Sequence, residues 1–238
     1  DPAFPTADLS TVRGFMVGGS PLPERTIRTW QDKKVAIMQG FGMTETGPGV
    51  CMLEPRDGLA KAGSAGRAHF FTENQVVDLD GRPVPPGVPG EVIVQGPNVM
   101  AGYWNKPEET AKALDGGWYH SGDIAVVDED GYMYIKDRIK DMYISGGENV
   151  YPAEVENALL SVPGVQEAAV IGVPDDKWGE AGRAFVVLAP DTHVTSEAMR
   201  EELKQRLATY KVPRDIVLVD ELPRNATGKI QKHALRAN

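Results

Sequence analysis

The chain has 238 residues, of which 41% are hydrophobic and 25% are charged, so it has a globular composition and enough length to bury one large or two small cores. Its net charge of −9 disfavours a general surface for nucleic acid or for anionic membranes, and no apolar run reaches the length of a membrane span. Cys51 is the only cysteine, which excludes an internal disulfide and a thiolate metal cage and fits a reduced, cytoplasmic setting. The chain begins at Asp1 with neither a start methionine nor a signal pattern, and we expect a fragment or a trimmed polypeptide.

Residues 1–62 are predicted to form a parallel βαβ unit. The predicted elements are a strand at 11–17, a turn at 18–21, a helix at 23–33 and a strand at 35–38. The helix is indicated by a proline in its first turn and by Ile27 and Trp30 on one face. Short joins between strand, helix and strand are typical of a parallel unit.

Residues 63–139 have a different residue pattern, in which short β-type runs lie between clusters of glycine and proline. The predicted elements are strands at 75–77, 91–94, 124–127 and 132–135, with one helix at 106–114. An Asp-Glu-Asp-Gly turn at 128–131 indicates a hairpin between the last two strands. We expect a small β-barrel or an irregular sheet here.

Residues 140–238 are predicted to form a small α+β domain, so the chain as a whole combines α/β and α+β parts. The predicted elements are helices at 152–160 and 196–207 and strands at 165–173, 183–188 and 216–219. The second helix is amphipathic, because Met199, Leu203 and Leu207 recur every four residues while charged residues fill the opposite face.

A glycine-rich run follows the second strand of the βαβ unit and has the composition of a nucleotide-phosphate site. Gly40 and Gly42 allow backbone to approach a ligand, Thr44 offers a hydroxyl donor, and Glu45 offers a carboxylate suited to Mg²⁺ beside a phosphate. The alternative is a glycine turn followed by helix-capping Thr and Glu side chains. The chain has neither a dinucleotide fingerprint nor a Gly-x-x-x-x-Gly-Lys-Ser/Thr phosphate loop.

The Gly18-Gly19-Ser20-Pro21 turn comes after the first strand of the same unit. Because the carboxyl ends of parallel strands meet at one edge of a sheet, this turn and the Gly40 run are expected to lie side by side, where α/β folds bind ligands. The turn could then cover one face of a flat base and Phe41 the other. Taken alone, the cluster indicates no more than a turn.

Two further segments offer groups for a ribose. In Tyr-His-Ser-Gly-Asp, the Asp123 carboxylate could accept bonds from both ribose hydroxyls, whereas the alternative is an Asx-type turn. His120 is expected to make a local hydrogen bond and not to bind metal, since the histidines lack metal-like spacing. Arg138 could donate to the ribose opposite Asp123, and the alternative for its segment is a surface charge run.

Two segments of residues 140–238 offer possible ligand contacts. One offers backbone without side-chain bulk, and the other offers a cation. Ser-Gly-Gly-Glu-Asn, starting at Ser145, would suit a narrow passage, and its alternative is a plain turn. Lys229 follows a glycine in a predicted exposed loop and could deliver a mobile charge to a phosphate. The alternative is a solubilising lysine near the chain end.

The order of these motifs resembles the C-terminal half of acyl-CoA synthetases of the adenylate-forming superfamily, over essentially the whole chain. The Ser-Gly-Gly-Glu-Asn-Val-Tyr-Pro-Ala-Glu form is more similar to fatty-acid or aryl-acid CoA ligases than to peptide-synthetase adenylation domains. The ordered motifs are Gly-Gly-Ser-Pro-Leu-Pro, Gly-Phe-Gly-Met-Thr-Glu, Pro-Gly-Glu-Val, Gly-Pro-Asn-Val-Met-Ala-Gly-Tyr-Trp, Ser-Gly-Asp, Asp-Arg-Ile-Lys, Gly-Gly-Glu-Asn-Val-Tyr-Pro-Ala-Glu-Val-Glu and Gly-Lys.

The resemblance implies a domain plan and a two-step reaction. Residues 1–139 would be the C-terminal part of a large αβ domain, with a β-barrel-like subdomain at 63–139, and 140–238 a small mobile domain. A carboxylic acid, most readily a fatty acid, would react with ATP and Mg²⁺ to give acyl-AMP and pyrophosphate. CoA thiol would then displace AMP.

The resemblance also assigns roles to residues. The nucleotide would be bound by Gly19, Ser20, Pro21, Gly40, Phe41, Gly42, Thr44, Asp123 and Arg138. Glu45 would help to hold Mg²⁺, and Lys229 would bridge the reacting oxygens of the first step. Lys140 falls at the hinge. The CoA side would be formed by Ser145, Gly146, Gly147 and Trp178, and Tyr210 could join Trp178 at the CoA nucleotide.

One departure limits these implications. The family's Thr-Ser-Gly-Thr-Thr-Gly phosphate loop and the half-domain that carries it are absent from the sequence. We therefore expect that the 238 residues alone do not catalyse the full reaction. Two alternatives stay open, namely an adenylation domain that loads a carrier protein and a non-catalytic folded fragment. The identity of the acid and the oligomeric state cannot be read from the sequence.

Overall fold

The computed structural model describes residues 3–19, 22–226 and 228–236. The chain divides into two compact units, Asp1–Ile135 and Lys136–Asn238, a division that falls just before the predicted hinge at Lys140. Both units mix helices and strands, which confirms the predicted α/β and α+β classes. Within the described residues, no helix combines the length and the apolarity that crossing a membrane requires.

The first unit begins with the predicted βαβ arrangement. Strand β1 (Gly14–Val17), helix α1 (Glu24–Asp32) and strand β2 (Ala36–Phe41) follow one another, and β1 and β2 pair in parallel. The helix packs through Ile27, which is buried, and through Trp30, whose ring makes edge contacts with Phe4 and Phe15. Strands β3 (Cys51–Met52) and β4 (Arg67–Ala68) extend this sheet in antiparallel fashion.

A second sheet contains the glycine- and proline-punctuated strands. Its order is β5 (Glu73–Val77), β6 (Gly90–Gln95), β7 (Tyr119–Val127) and β8 (Met133–Arg138), and helix α2 (Pro107–Ala113) precedes β7. Its core includes Val92, Val94 and Met133, packed with Val50 and Cys51 from the segment after β2. The strand pairings of the described residues give an open order, so closure into a barrel stays a prediction.

The second unit is one five-stranded sheet with helices. Its strands are β9 (Tyr143–Ser145), β10 (Glu148–Val150), β11 (Val165–Asp175), β12 (Gly179–Leu188) and β13 (Asp215–Leu218). Its helices are α3 (Pro152–Leu160), α4 (Ser196–Lys204) and α5 (Lys232–Arg236). The sheet order is β10-β9-β12-β11, and β13 pairs in parallel with β12.

Sequence signals account for both longer helices of this unit. Helix α3 starts at a proline, and Val155 and Leu159 are completely buried on one face. Helix α4 starts where the Thr195 hydroxyl accepts the amide of Ala198 at 3.2 Å. It ends at Lys204 and not at the predicted residue 207, because the chain leaves the helix while Leu207 still packs against the core.

Candidate active site

The loop at residues 42–50 is closed at its base by strand pairing. Phe41 and Cys51 are paired residues of β2 and β3, and the amide of Val50 donates to the Phe41 carbonyl at 2.9 Å. Residue 42 must be glycine, because a Cβ there would lie 2.4 Å from the carbonyl oxygen of Pro48. The loop is therefore a fixed bend that presents Thr44 and Glu45 at the end of a strand.

Glu45 is held by a segment far along the chain. Its carbonyl accepts the amide of Met100 at 2.8 Å, and its Oε1 accepts the hydroxyl of Tyr103 at 3.1 Å. The Asn98 amide donates to the neighbouring Thr46 carbonyl at 2.5 Å. Burial raises the pKa of Tyr103, and the Glu45 carboxylate adds to the effect, so this phenol stays protonated and can donate.

The Glu45 carboxylate is the group that could hold the Mg²⁺ expected from the sequence. Among the described residues, no group of three or more His, Cys, Asp or Glu side chains could hold a metal by itself. Mg²⁺ is usually held by one or two carboxylates together with substrate phosphates and water, so a single half-buried carboxylate fits. Thr44, next to it, is exposed at the start of the short helix Thr44–Thr46.

The two strand ends of the parallel pair adjoin, as the sequence predicts. Val17 pairs with Gln39, and a Cβ placed on Gly18 would lie 3.5 Å from the Gly40 carbonyl oxygen. Gly19 is exposed and has a φ of +86°. Ser20 and Pro21, the other residues predicted to contact adenine, lie outside the described residues. Phe41 is half-buried.

Asp123 lies in an irregular part of β7 that Glu91 organises. Along β6, Glu91 pairs with Ile124 and Ile93 with His120, so two residue steps on one strand face four on the other. The Glu91 carboxylate contacts His120 Nδ1 and accepts the Gly122 amide, each at 2.9 Å. This confirms the local hydrogen bond expected of His120.

Asp123 itself is only 6% exposed, and its amide donates to the Ser121 hydroxyl at 3.0 Å. Arg138, its predicted partner at the ribose, is exposed and belongs to the other compact unit. Their joint role at a ribose stays a prediction.

In the second unit, the segment around Lys140 is tied to two helices. Asp137 accepts the amide of Ala153 at 2.7 Å, in the first turn of α3, and burial raises the pKa of this carboxyl. Arg236 of α5 donates to the Lys140 carbonyl at 3.3 Å and pairs with Asp141 at 3.4 Å. Lys140 is exposed, so the backbone here is anchored while the side chain meets solvent.

The predicted thiol passage is the turn of a β-hairpin. Gly146 and Gly147 join β9 to β10 with φ values of +62° and +86°, which favour glycine at both positions. The Gly146 amide donates to the Trp178 carbonyl at 2.8 Å. A Cβ on residue 146 would lie 2.6 Å from Trp178 Cε3, so the indole packs directly on this glycine.

A cleft of about 190 Å³ lies beside the hairpin. Three of the predicted CoA-side residues line it together, namely Ser145, Trp178 and Tyr210. Two cations that sequence reasoning missed, Lys177 and Arg214, also line it, although Lys177 is adjacent to Trp178 in the sequence. The cleft thus combines aromatic rings with positive charge.

Asp175 fixes the geometry of this cleft. Its carboxylate accepts the amides of Trp178 and Lys177, each at 2.9 Å, and pairs with Arg214 at 3.0 Å. The Trp178 amide, then the Lys177 amide and Arg214, lower the pKa of Asp175. The Lys177 ammonium lies 4.8 Å from the centre of the Trp178 ring.

Lys229 is exposed on a short loop whose base is closed by hydrogen bonds. Its amide donates to Asn225 Oδ1 and its carbonyl accepts the Asn225 amide, each at 2.9 Å. Arg224 and Ile230 form an antiparallel bridge just outside this pair.

Comparison with known proteins shows the family to which this fold belongs. A family profile described as AMP-binding enzyme matches residues 1–104, and one described as AMP-binding enzyme C-terminal domain matches residues 154–229. The chain belongs to the AMP-binding enzyme family.

Curated relatives within this family are CoA ligases. The chain is 50% identical to a feruloyl-CoA synthase from an Amycolatopsis species, over 99% of this chain and 48% of the relative. It is 47% identical to a long-chain-fatty-acid–CoA ligase from Mycobacterium tuberculosis, over 99% of this chain and 46% of the relative. The chain therefore spans about half the length of the curated relatives it matches.

A solved structure shows the same fold. The o-succinylbenzoate CoA synthetase from Bacillus subtilis, in complex with the acyl-adenylate intermediate, matches with a TM-score of 0.87 and 37% identity, over 96% of this chain and 48% of that chain. The same enzyme in complex with ATP and magnesium ion matches with a TM-score of 0.85 and 38% identity, over 93% of this chain and 46% of that chain.

Proposed function

We propose that the chain is the C-terminal part of an ATP-dependent acyl-CoA or aryl-CoA ligase that works through an acyl-AMP intermediate. The observation that carries this proposal is the cleft beside the Gly146–Gly147 hairpin, with the rings of Trp178 and Tyr210 and the cations Lys177 and Arg214. Aromatic faces and positive charge suit the adenine and phosphates of CoA, and the glycine turn suits its narrow pantetheine arm.

In the first step, the carboxylate oxygen of the acid attacks the α-phosphate of ATP, forming acyl-AMP and releasing pyrophosphate. Negative charge must be neutralised where two anions meet. Lys229 supplies a cation there, and Thr44 donates a hydrogen bond to the α-phosphate. Glu45, kept in place by Tyr103, would hold Mg²⁺, which would supply positive charge beside the phosphates.

In the second step, the CoA thiol attacks the acyl carbonyl of acyl-AMP and AMP leaves. Lys229 must withdraw and the thiol must be admitted. A rotation about Lys140 would exchange the two groups, because a hinge needs only a few residues to absorb the change in dihedral angles.

We propose that the acid is apolar, either a fatty acid or an aryl acid. Support comes from two relatives of the chain, a feruloyl-CoA synthase and a long-chain-fatty-acid–CoA ligase. A panel of both acid classes, offered to the complete enzyme that contains this sequence, separates the two. Replacing free CoA with a holo carrier protein in the same assay tests the carrier-loading alternative, which predicts faster thioester formation on the carrier.

The test of the mechanism is Lys229→Ala in that complete enzyme. We expect pyrophosphate release to fall by about 100-fold or more, the usual loss for a removed transition-state contact, while thioester formation from supplied acyl-AMP persists. Lys204→Ala, which removes another exposed lysine of the second unit, is the control. An equal loss of both half-reactions in Lys229→Ala would show that the role given to Lys229 is wrong.

A further inference from the structure

The loop that carries Lys229 is closed by a side chain as well as by its backbone. Arg224 forms the antiparallel bridge with Ile230, and its Nη1 donates across the loop to the Gly228 carbonyl at 2.7 Å. The guanidinium therefore contacts the residue directly before Lys229.

The other side of the same guanidinium is fixed to the sheet. Arg224 Nη2 contacts Glu167 Oε2 at 2.5 Å. Glu167 lies on β11 where the pairing with β12 is irregular, between Val165 and Glu167. Such irregularities redirect side chains. Arg224 thus joins a rigid strand to the loop, and its planar fork suits two acceptors at once.

The pair contributes to local order more than to global stability. The side chains of Arg224 and Glu167 are 42% and 32% exposed, and ion pairs with that exposure add little to folding. Both residues line a cleft of about 460 Å³. Without this link, the loop would lose its side-chain connection to β11 and would rely on the hydrogen bonds at Asn225 and the bridge at Ile230.

We propose that Glu167 and Arg224 are positioning residues for the first half-reaction, because they hold the loop so that Lys229 meets the reacting oxygens in one orientation. The inference rests on the proposed function of Lys229. A catalytic cation on a loosened loop spends less time in the productive geometry, which lowers the rate of the step that uses it. The second half-reaction does not use Lys229, so its rate should not depend on the contact between Glu167 and Arg224.

The experiment measures both half-reactions of the complete enzyme in Glu167→Ala, Arg224→Ala and the double variant. We expect kcat for adenylation to fall about tenfold in each single variant, within the range known for small misplacements of catalytic groups. The double variant is expected to lose no more than the worse single variant, since the two residues act through one contact. The rate of thioester formation from supplied acyl-AMP is expected to stay within about twofold of that of the unsubstituted enzyme, whereas a misfolded protein would lose this activity.

Two further variants sharpen the test. Glu167→Gln keeps an oxygen acceptor for Arg224 and is expected to recover most of the adenylation rate. Arg206→Ala is the matched control, because Arg206 forms an ion pair with Glu202 at 45% and 44% side-chain exposure, away from the loop.

The outcomes separate the two proposals. If Lys229→Ala loses adenylation alone while Glu167→Ala and Arg224→Ala retain it, the positioning role is wrong and the proposed function stands. If Glu167→Ala and Arg224→Ala lose both half-reactions equally, the positioning role is also overturned. The same holds if the double variant's loss is the sum of the two single losses. If Lys229→Ala itself lowers both steps equally, the proposed role of Lys229 is wrong.

Discussion

Gly146 illustrates how a single missing side chain shapes a site. Its positive φ favours glycine, and the Trp178 ring occupies the space that a Cβ would fill. A side chain at residue 146 would therefore meet both backbone strain and the ring of Trp178, which lines the cleft proposed to bind CoA.

We expect Gly146→Ala to slow thioester formation from acyl-AMP by about tenfold or more, because displacing Trp178 disturbs the cleft proposed to bind CoA and so misplaces the incoming thiol. Adenylation should be unaffected. Gly147→Ala separates the causes, since residue 147 has a similar positive φ but no atom within 4 Å of its Cβ position among the described residues. Equal losses in the two variants would mean that strain, and not Trp178, is responsible. Steady-state and single-turnover thioester assays measure both.

Tyr143 offers a prediction about stability. Its hydroxyl is buried and has no hydrogen-bond partner among the described residues, and burial raises its pKa. A buried polar group without a partner costs about 1–3 kcal/mol, so Tyr143→Phe should raise the free energy of unfolding by about 1 kcal/mol. Denaturant titration of the chain measures this.

Tyr132→Phe is the control for that measurement. Tyr132 is also buried, but its hydroxyl donates to Asp57 at 2.7 Å, so its removal should lower stability by about 1 kcal/mol. If Tyr143→Phe destabilises the chain as much as Tyr132→Phe does, the Tyr143 hydroxyl has a partner in solution.

At the scale of elements, the sites depend on pairs of segments that are distant in sequence. The 42–50 loop is set by residues near 100, and the Asp123 segment is set by Glu91 on the neighbouring strand. Glycines and carboxylates in the sequence predicted the segments that would contact the nucleotide. It could not predict which segment supports which, because that depends on sheet register, and register follows from packing of whole strands.

Local signals predicted the elements best where they agreed with packing. The βαβ unit and helix α3 were predicted because a proline start, an apolar face and short joins all indicated the same structure. The pairing of β9 with β10 was not predicted, since these strands are three residues each and their neighbour β12 lies far along the chain. The cations of the CoA-side cleft were missed for the same reason, because Arg214 reaches it only through folding.

Glu91 gives the prediction at this scale. Glu91→Ala removes the contact to His120 and the acceptor for the Gly122 amide, so the Asp123 segment should loosen. Hydrogen bonds to a charged group contribute about 1.5–3 kcal/mol, and we expect KM for ATP in the complete enzyme to rise about tenfold or more. Glu73→Ala, at an exposed position of β5, is the control. An unchanged KM in Glu91→Ala would exclude the Asp123 segment from nucleotide binding.

At the scale of the whole molecule, the two compact units carry complementary parts of one proposed reaction. The first unit holds the loop with Thr44 and Glu45 and the segment with Asp123, and the second holds Lys229, the glycine hairpin and the cationic cleft. Each proposed step uses groups from both units, so neither unit alone is expected to be a catalyst.

The same reasoning limits the 238-residue chain itself. It carries the residues proposed to contact the base, ribose and α-phosphate, but its sequence lacks the Ser/Thr/Gly-rich loop that the resemblance implies for the leaving pyrophosphate. Charge that develops on the leaving group would then be stabilised by water instead of fixed donors, and removing even one such donor costs about 100-fold or more in rate.

We therefore expect no acyl-CoA above the uncatalysed background when the chain is given ATP, Mg²⁺, CoA and a panel of fatty and aryl acids, whereas the complete enzyme turns over. Calorimetry with AMP and CoA distinguishes a chain that still binds nucleotide from a folded fragment that does not. Robust acyl-CoA formation by the chain would show that the phosphate loop is dispensable and that the groups described above suffice for both steps.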